Sequence, residues 1–510
     1  MPPVLTELAS LLPWVYAVAL VPAALVAAGR TGALWRPARL AGYAGFALAL
    51  AALLQATLDS LENDRLGLAM ATLVSLLALV IIEFSHRYLD GEPGQRRYVL
   101  ALLGTLASVA LVVTSGDLYL LVGAWIVSSL CLHQLLTFYR DRPMAQVVAH
   151  KKFLASRLAD LCLLLATVLL VRAAGGSEIA LILEQVAARQ DSGGALGWDL
   201  QLAAMLLALA VILKSAQLPV HGWLIQVMEA PTPVSALLHA GLVNLGGFLL
   251  LRFAPLLSAA PAAQTLLVVV GGLTAVLAAL VMMTRISIKV RLAWSTCAQM
   301  GFMLLECGLG LYELALVHLL AHSLYKAHAF LASGETVLQA RHQALQARRP
   351  APRLRSLLLA LGLAGLGITL LHQLWLYWLP THPLPLEALA IVAVGLAPWC
   401  LHRGGLAHGL TMLILLLGLY LLWHLGAAWI LGADATSGAH SLYLTLLALG
   451  LFAALYLVQA CIVARPEGVL ARRLYPAAFA GFFLDEHFTR LTFRLWPPRR
   501  PGLPVNGERS

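Results

Sequence analysis

Lys214 ends an apolar run, and Pro219 follows five residues later. His221 and Glu229 occupy the link beyond, and Pro231 and Pro233 open the next apolar run, which carries His239. A lysine inside a membrane helix is expensive, so it faces a protein interior and marks an ion or proton path. A proline just over one turn later removes a backbone hydrogen bond and breaks or kinks the helix. Broken helices survive at membrane depth only where protein or a water-filled cavity satisfies the freed groups. The stretch predicts a buried, ionisable, hydrated site at a helix break. The alternative for Lys214 is a lysine snorkelling from a helix end, against which the prolines and polar residues beyond it argue.

Other ionisable groups fall inside apolar runs. His318, His322 and Lys326 stand at i, i+4 and i+8, on one face of a helix. Three such side chains in line suit a proton relay, because histidine titrates near neutral pH and exchanges protons at two nitrogens. Two histidines at i, i+4 can also bind zinc, but no HExxH glutamate or third ligand accompanies them. His239 reads either as a member of the path or as a packing histidine with Asn244 as partner. Arg157 and Asp160, at i, i+3, can form an internal ion pair, read equally well as functional or interfacial. His133, Lys289, Glu306 and Glu335 are weaker candidates, of which Glu306 is a carboxylate well inside a span.

The surrounding chain is what must position these groups. It has 510 residues, of which 61% are hydrophobic and only 11% charged, whereas a soluble domain carries about 25% charged residues. This is an all-α polytopic membrane protein. At roughly 20 apolar residues per crossing the count is about fifteen transmembrane helices, the first apolar run being retained as one. Basic residues concentrate in alternate links, including Arg30, Arg36 and Arg39; Arg140, Arg142, Lys151 and Lys152; and Arg348, Arg349 and Arg353. The other links carry Asp59 and Glu62 or Asp434. Positive charge stays inside, which predicts an external N-terminus and a cytoplasmic C-terminus. The net charge of +10 is therefore topological, with no nucleic-acid footprint. Residues 465–510 form a basic, aromatic cytoplasmic or interfacial tail. Its stretch 475–496 suits an amphipathic interfacial helix with Arg490 and Arg494 on the polar side, and its last dozen residues read as disordered. The six cysteines show no CxxC spacing, so no metal or other cofactor is expected on this chain. Nucleotide-loop, dinucleotide and nucleophile–base signatures are absent too, leaving ion movement or a partner's chemistry.

Three segments carry a family resemblance. KSAQLPVHGWLIQVMEAPTPVSALLHA, RLAWSTCAQMGFM and HLLAHSLYKAHAFLASG resemble signatures of the proton-conducting, antiporter-like subunits of respiratory complex I and of Mrp antiporters. The likeness covers roughly residues 60–340. It implies two inverted five-helix repeats, each with a broken helix. Residues 1–96 would hold helices 1–3, residues 97–251 the first repeat (helices 4–8) and residues 252–401 the second (helices 9–13). Residues 402–464 would then hold helices 14–15. It also implies ion-path roles for Lys214, His239, His318, His322 and Lys326. The family glutamate that pairs with the central lysine falls at Ile126, so that carboxylate is missing, and His133 is its candidate substitute. No lysine follows Lys326, which leaves His372 as the nearest candidate on the second broken helix.

RYLDGEPGQRRY, VMEAPTPVSALLHAGLVNLGGF and GFFLDEHFTRLTFRLWP resemble the DabB membrane subunits of bacterial inorganic-carbon accumulation systems. That resemblance implies an inner-membrane subunit conducting a cation, H⁺ or Na⁺, and driving a cytoplasmic DabA-like zinc protein related to carbonic anhydrases, with the zinc on the partner. The other readings are a pump or antiporter subunit of a complex I, hydrogenase or Mrp-type complex, and a non-transporting anchor for a soluble enzyme.

Overall fold

A backbone in hydrocarbon must satisfy its own hydrogen bonds, and this chain does so with helices. The computed structural model describes residues 8–26, 30–58, 64–139, 142–191, 196–336, 341, 353–378, 386–397, 405–432 and 441–497. The link charges Asp59, Glu62, Arg140, Arg348, Arg349 and Asp434 and the final residues of the tail lie outside them. In chain order the helices are α1 (Leu12–Leu25), α2 (Thr31–Leu58), α3 (Arg65–Tyr88), α4 (Gln95–Thr114), α5 (Leu118–Leu136), α6 (Pro143–Ala174) and α7 (Ile179–Asp191). Then come α8 (Trp198–Lys214), α9 (Gly222–Gln226), α10 (Thr232–Ala240), α11 (Leu245–Arg252), α12 (Ala254–Ser258), α13 (Pro261–Met282), α14 (Ile288–Gly308) and α15 (Tyr312–Leu331). The last are α16 (Leu354–Trp378), α17 (Leu386–Leu396), α18 (Gly405–Leu431), α19 (Leu442–Ala464), α20 (Val469–Phe479) and α21 (Glu486–Leu495).

Ten helical stretches among the described residues are long and apolar enough to cross a membrane. Helices α8, α14 and α15 fall short for physical reasons. Helix α8 stops at Lys214 after 17 residues. Helix α14 carries Lys289, Arg291 and Glu306, and α15 carries Glu313, His318, His322, Lys326 and His328. Helix α16 runs unbroken through Trp378, and the residues after it, 379–385, lie outside the described ones. The tail forms two helices rather than one over 475–496. They are separated at Gly481, Phe482 and Phe483, three consecutive residues in left-handed conformation (φ 64°, 52° and 58°).

Two compact units result. The first comprises residues 1–248, 322–333 and 484–510; the second comprises 249–321 and 334–483. In the second, α13 and α14 make a close crossing. A Cβ on Gly271 would come 2.5 Å from the Gly301 carbonyl oxygen, and one on Gly301 would come 2.6 Å from that of Gly271. Small residues of this kind let membrane helices approach without a hydrophobic driving force. In the first, the links before α5 and α7 are clamped. Leu118 N–H donates to Ser177 O and Ile179 N–H to Gly116 O, each at 2.8 Å. Asp117 caps α5 through Leu120 N–H and accepts from the Ser177 hydroxyl.

Two outcomes follow from these contacts. Gly301→Val should cost about 1–3 kcal/mol by overpacking and lower the thermal midpoint in detergent, whereas Gly365→Val, with open space around it, should not. Burial pushes the Asp117 carboxyl up, but the Ser177 hydroxyl and the Leu120 and Tyr119 amides outweigh it and hold the group below the usual carboxylate range. A depressed folded value means that its stabilisation is complete above the unfolded carboxylate range and is lost as pH falls through the folded value. Asp117→Ala should therefore cost about 1 kcal/mol at neutral pH, and the difference from wild type should shrink in acid unfolding scans.

Candidate functional site

Helix α8 ends where expected. Ser215 N–H still bonds Val211 O at 2.8 Å, but Ala216 turns left-handed (φ 52°) and the Leu218–Pro219 peptide is cis. The Gln217 side chain donates to Ser215 O at 2.8 Å, so a carbonyl freed by the break finds a protein donor. Helix α9 and a 3₁₀ turn at Val227–Glu229 carry the chain into α10. Of the three prolines, Pro219 lies in the break. Pro231 precedes α10 and Pro233 lies in its first turn, where a missing N–H is tolerated.

Lys214 is buried, with Nζ 4.3 Å from the centre of the Trp125 ring on α5. The charged groups acting on it are Asp160 and Arg157 of α6, which form an ion pair at 2.6 Å. Lys152, earlier on α6, is also buried and donates to Ser129 O at 2.7 Å and Ser129 Oγ at 2.6 Å. It shares the field of Lys214, Arg157 and Asp160. His133 stands edge-on to Phe153, with ring centres 5.6 Å apart, and feels chiefly Lys152 and His150. Asp160 is the carboxylate whose charge acts on Lys214. Among the described residues, Asp160 is the one carboxylate whose charge acts on both Lys152 and Lys214.

His239 of α10 is buried and stacks on Phe330 of α15, ring centres 4.4 Å apart and planes 17° from parallel. Its ring nitrogens have no hydrogen-bond partner among the described residues, and Lys326 is the charge that acts on it. Asn244 is not its partner: the amide donates to Ala240 O at 2.8 Å and to Ser323 Oγ at 2.6 Å. His322, Ser323 and Lys326 are all buried on the α15 half that belongs to the first unit.

In the second unit His318 Nδ1 lies 2.8 Å from Glu306 Oε2, a fully buried carboxylate. Lys289, in the first turn of α14, stands about 25 Å along that helix from Glu306 at 1.5 Å per residue. Glu335 lies in the 3₁₀ turn after α15, and His372 is buried on α16.

Two groups escape a sequence reading. Lys151 and Lys152 read as link charges, but α6 begins at Pro143 and carries both inside. Pro143 itself was the available signal, since proline favours the first helical turn. The second is His424 with Glu313, Nδ1 to Oε2 at 3.1 Å, a pairing distant in sequence and without a local signature. Among the described residues no group of three His, Cys, Asp or Glu side chains could hold a metal.

Broken helix, buried lysine and helical fold together define an antiporter-like membrane subunit. The chain belongs to the NADH:quinone oxidoreductase/Mrp antiporter transmembrane family, whose profile matches residues 115–379. Within it, the chain is 42% identical to the probable inorganic carbon transporter subunit DabB of Hydrogenovibrio crunogenus, over 86% of this chain and 84% of that protein. It is 41% identical to the probable inorganic carbon transporter subunit DabB2 of Halothiobacillus neapolitanus, over 86% and 81%. Against the structure of the Mrp complex from Dietzia sp. DQ12-45-1b it superposes with a TM-score of 0.55 at 25% identity, covering 95% of this chain and 55% of that one.

Asp160→Ala removes the counter-charge of two buried lysines, Lys152 and Lys214, and of the half-buried Arg157, and should cost about 3–5 kcal/mol. Lys214→Met in the same background should recover part of that loss. A double-mutant cycle of thermal unfolding measures the coupling.

Proposed function

We propose that this chain is the cation-conducting membrane subunit, with H⁺ as the ion, of an inorganic-carbon accumulation complex in the bacterial inner membrane. The observation that carries the reading is the Lys214 cluster: a buried lysine at a helix break, faced by the Arg157–Asp160 pair and by a second buried lysine. Protonation and deprotonation of such a lysine alternately charge and discharge the break, and an ionisable group in a membrane interior is retained where charge moves. The identity to DabB relatives along most of the chain favours inorganic carbon as the cargo of the assembly. His239, His322 and Lys326 would continue the path in the first unit, and Glu306 with His318 would serve the second half. The N-terminus would face outward and the C-terminus the cytoplasm. The sequence halves 97–251 and 252–401 would act as inverted repeats. The partner would be a DabA-like cytoplasmic zinc protein of carbonic-anhydrase type, whose zinc hydrates CO₂ while ion flow through this chain makes hydration one-way.

The test is growth in air of a carbonic-anhydrase-deficient bacterium expressing this chain with such a partner. Rescue should occur, collapse with an uncoupler and fall at least about tenfold in carbon uptake with Lys214→Ala. Rescue that survives both treatments would make the chain an anchor. Proton or sodium flux without rescue would favour an antiporter of the Mrp kind.

A further inference from the structure

The C-terminal segment does more than lie along the bundle. Asp485, which precedes α21, reaches the broken helix of the first unit. Its Oδ2 accepts from Lys151 Nζ at 2.7 Å, from Gln226 Nε2 at 3.1 Å and from its own helix's Thr489 at 3.1 Å. Lys151 also donates to Gln226 Oε1 at 3.0 Å, closing a triangle between α6, α9 and the tail. The Lys151 side chain is fully buried and that of Asp485 is 22% exposed. His221, at the start of α9, feels the Asp485 charge.

The site is shaped for this carboxylate. A Cβ on Gly222 would lie within 1.7 Å of Asp485 Oδ1, so the oxygen occupies the space a side chain would take. The left-handed run at Gly481, Phe482 and Phe483 turns the chain immediately before it. Left-handed conformation is unfavourable at phenylalanine. Beyond α21, Trp496 stacks on His150 with ring centres 3.9 Å apart, and its carbonyl oxygen lies 3.1 Å from His150 Nδ1. Phe153 meets the same indole edge-on at 5.4 Å. The segment is therefore held at both ends of α21. Lys151 adjoins Lys152 in the chain, so one turn of α6 holds both the tail's ion pair and a member of the Lys214 cluster.

We propose that Asp485 is a positioning carboxylate of the ion path: docked from the C-terminal segment, it fixes the charge of Lys151 at the broken helix, and conduction through the Lys214 cluster requires it there. This rests on the reading of Lys214 as part of an ion path. Removing the carboxylate, or both charges together, takes the fixed ion pair away from the turn of α6 that also carries Lys152, a member of that cluster.

The test uses the membrane complex in proteoliposomes, with dye-reported proton flux under an imposed gradient. Wild type, Lys214→Ala, Asp485→Asn, Lys151→Gln/Asp485→Asn and Gly222→Ala would be compared, with thermal midpoints measured in parallel. Asp485→Asn should lower flux at least about tenfold at a near-wild-type midpoint, and the doubly neutral variant should remain slow. Gly222→Ala, which leaves every charge in place but displaces the carboxylate, should be slow as well, and decides the matter if Asp485→Asn does not fold. Full flux in the doubly neutral variant would show a merely structural pair and overturn the proposal. So would wild-type flux in Asp485→Asn or Gly222→Ala while Lys214→Ala is inactive, an outcome that leaves the path reading standing. Absence of flux in wild type would overturn the path reading and this proposal with it.

Discussion

An ammonium group removed from water must be balanced by a neighbour or give up its proton. The first unit meets that constraint with a surplus, bringing Lys152, Arg157 and Lys214 around Asp160. Much of the local architecture serves the arrangement. Helix α8 stops at the lysine, so polar backbone rather than hydrocarbon follows it. Helix α5 supplies the Trp125 face and the Ser129 acceptors, and α6 extends far enough to carry both lysines and the ion pair. Neutral replacements would pack more cheaply; an uneven charge count is what a group meant to change protonation needs around it.

The features legible in the sequence were those whose cost in a membrane is local and severe. Lys214, Pro219, the Arg157–Asp160 spacing and the aligned His318, His322 and Lys326 each violate an apolar background within a few residues; Lys214, Asp160, His322 and Lys326 are buried, and Pro219 lies in the break. Charges near helix ends were harder, because hydropathy cannot distinguish a solvated link from the first turns of a buried helix; Lys151 and Lys152 were misplaced for that reason. Pairings such as His424 with Glu313 and Lys151 with Asp485 depend on how distant helices meet, which no window along the chain contains.

The carboxylate that acts on Lys214 lies away from position 126. Asp160, one helix over and oriented by Arg157, supplies the charge from α6, while α5 keeps an apolar side chain at 126 and offers its tryptophan ring next to it. Glu306 with His318 and Glu313 with His424 repeat the pairing of carboxylate with histidine within the second unit.

The strap formed by residues 484–497 bears on how the protein is made. Asp485 lies 334 residues beyond Lys151, and a nascent chain emerges from its N-terminus first. Throughout synthesis the first unit must therefore wait with an ammonium group at its broken helix still uncompensated until Asp485 has been added. A chain cut before that residue would keep every helix of the broken region yet lack this counter-charge. The finished state of an early-made part of the molecule thus depends on one made much later.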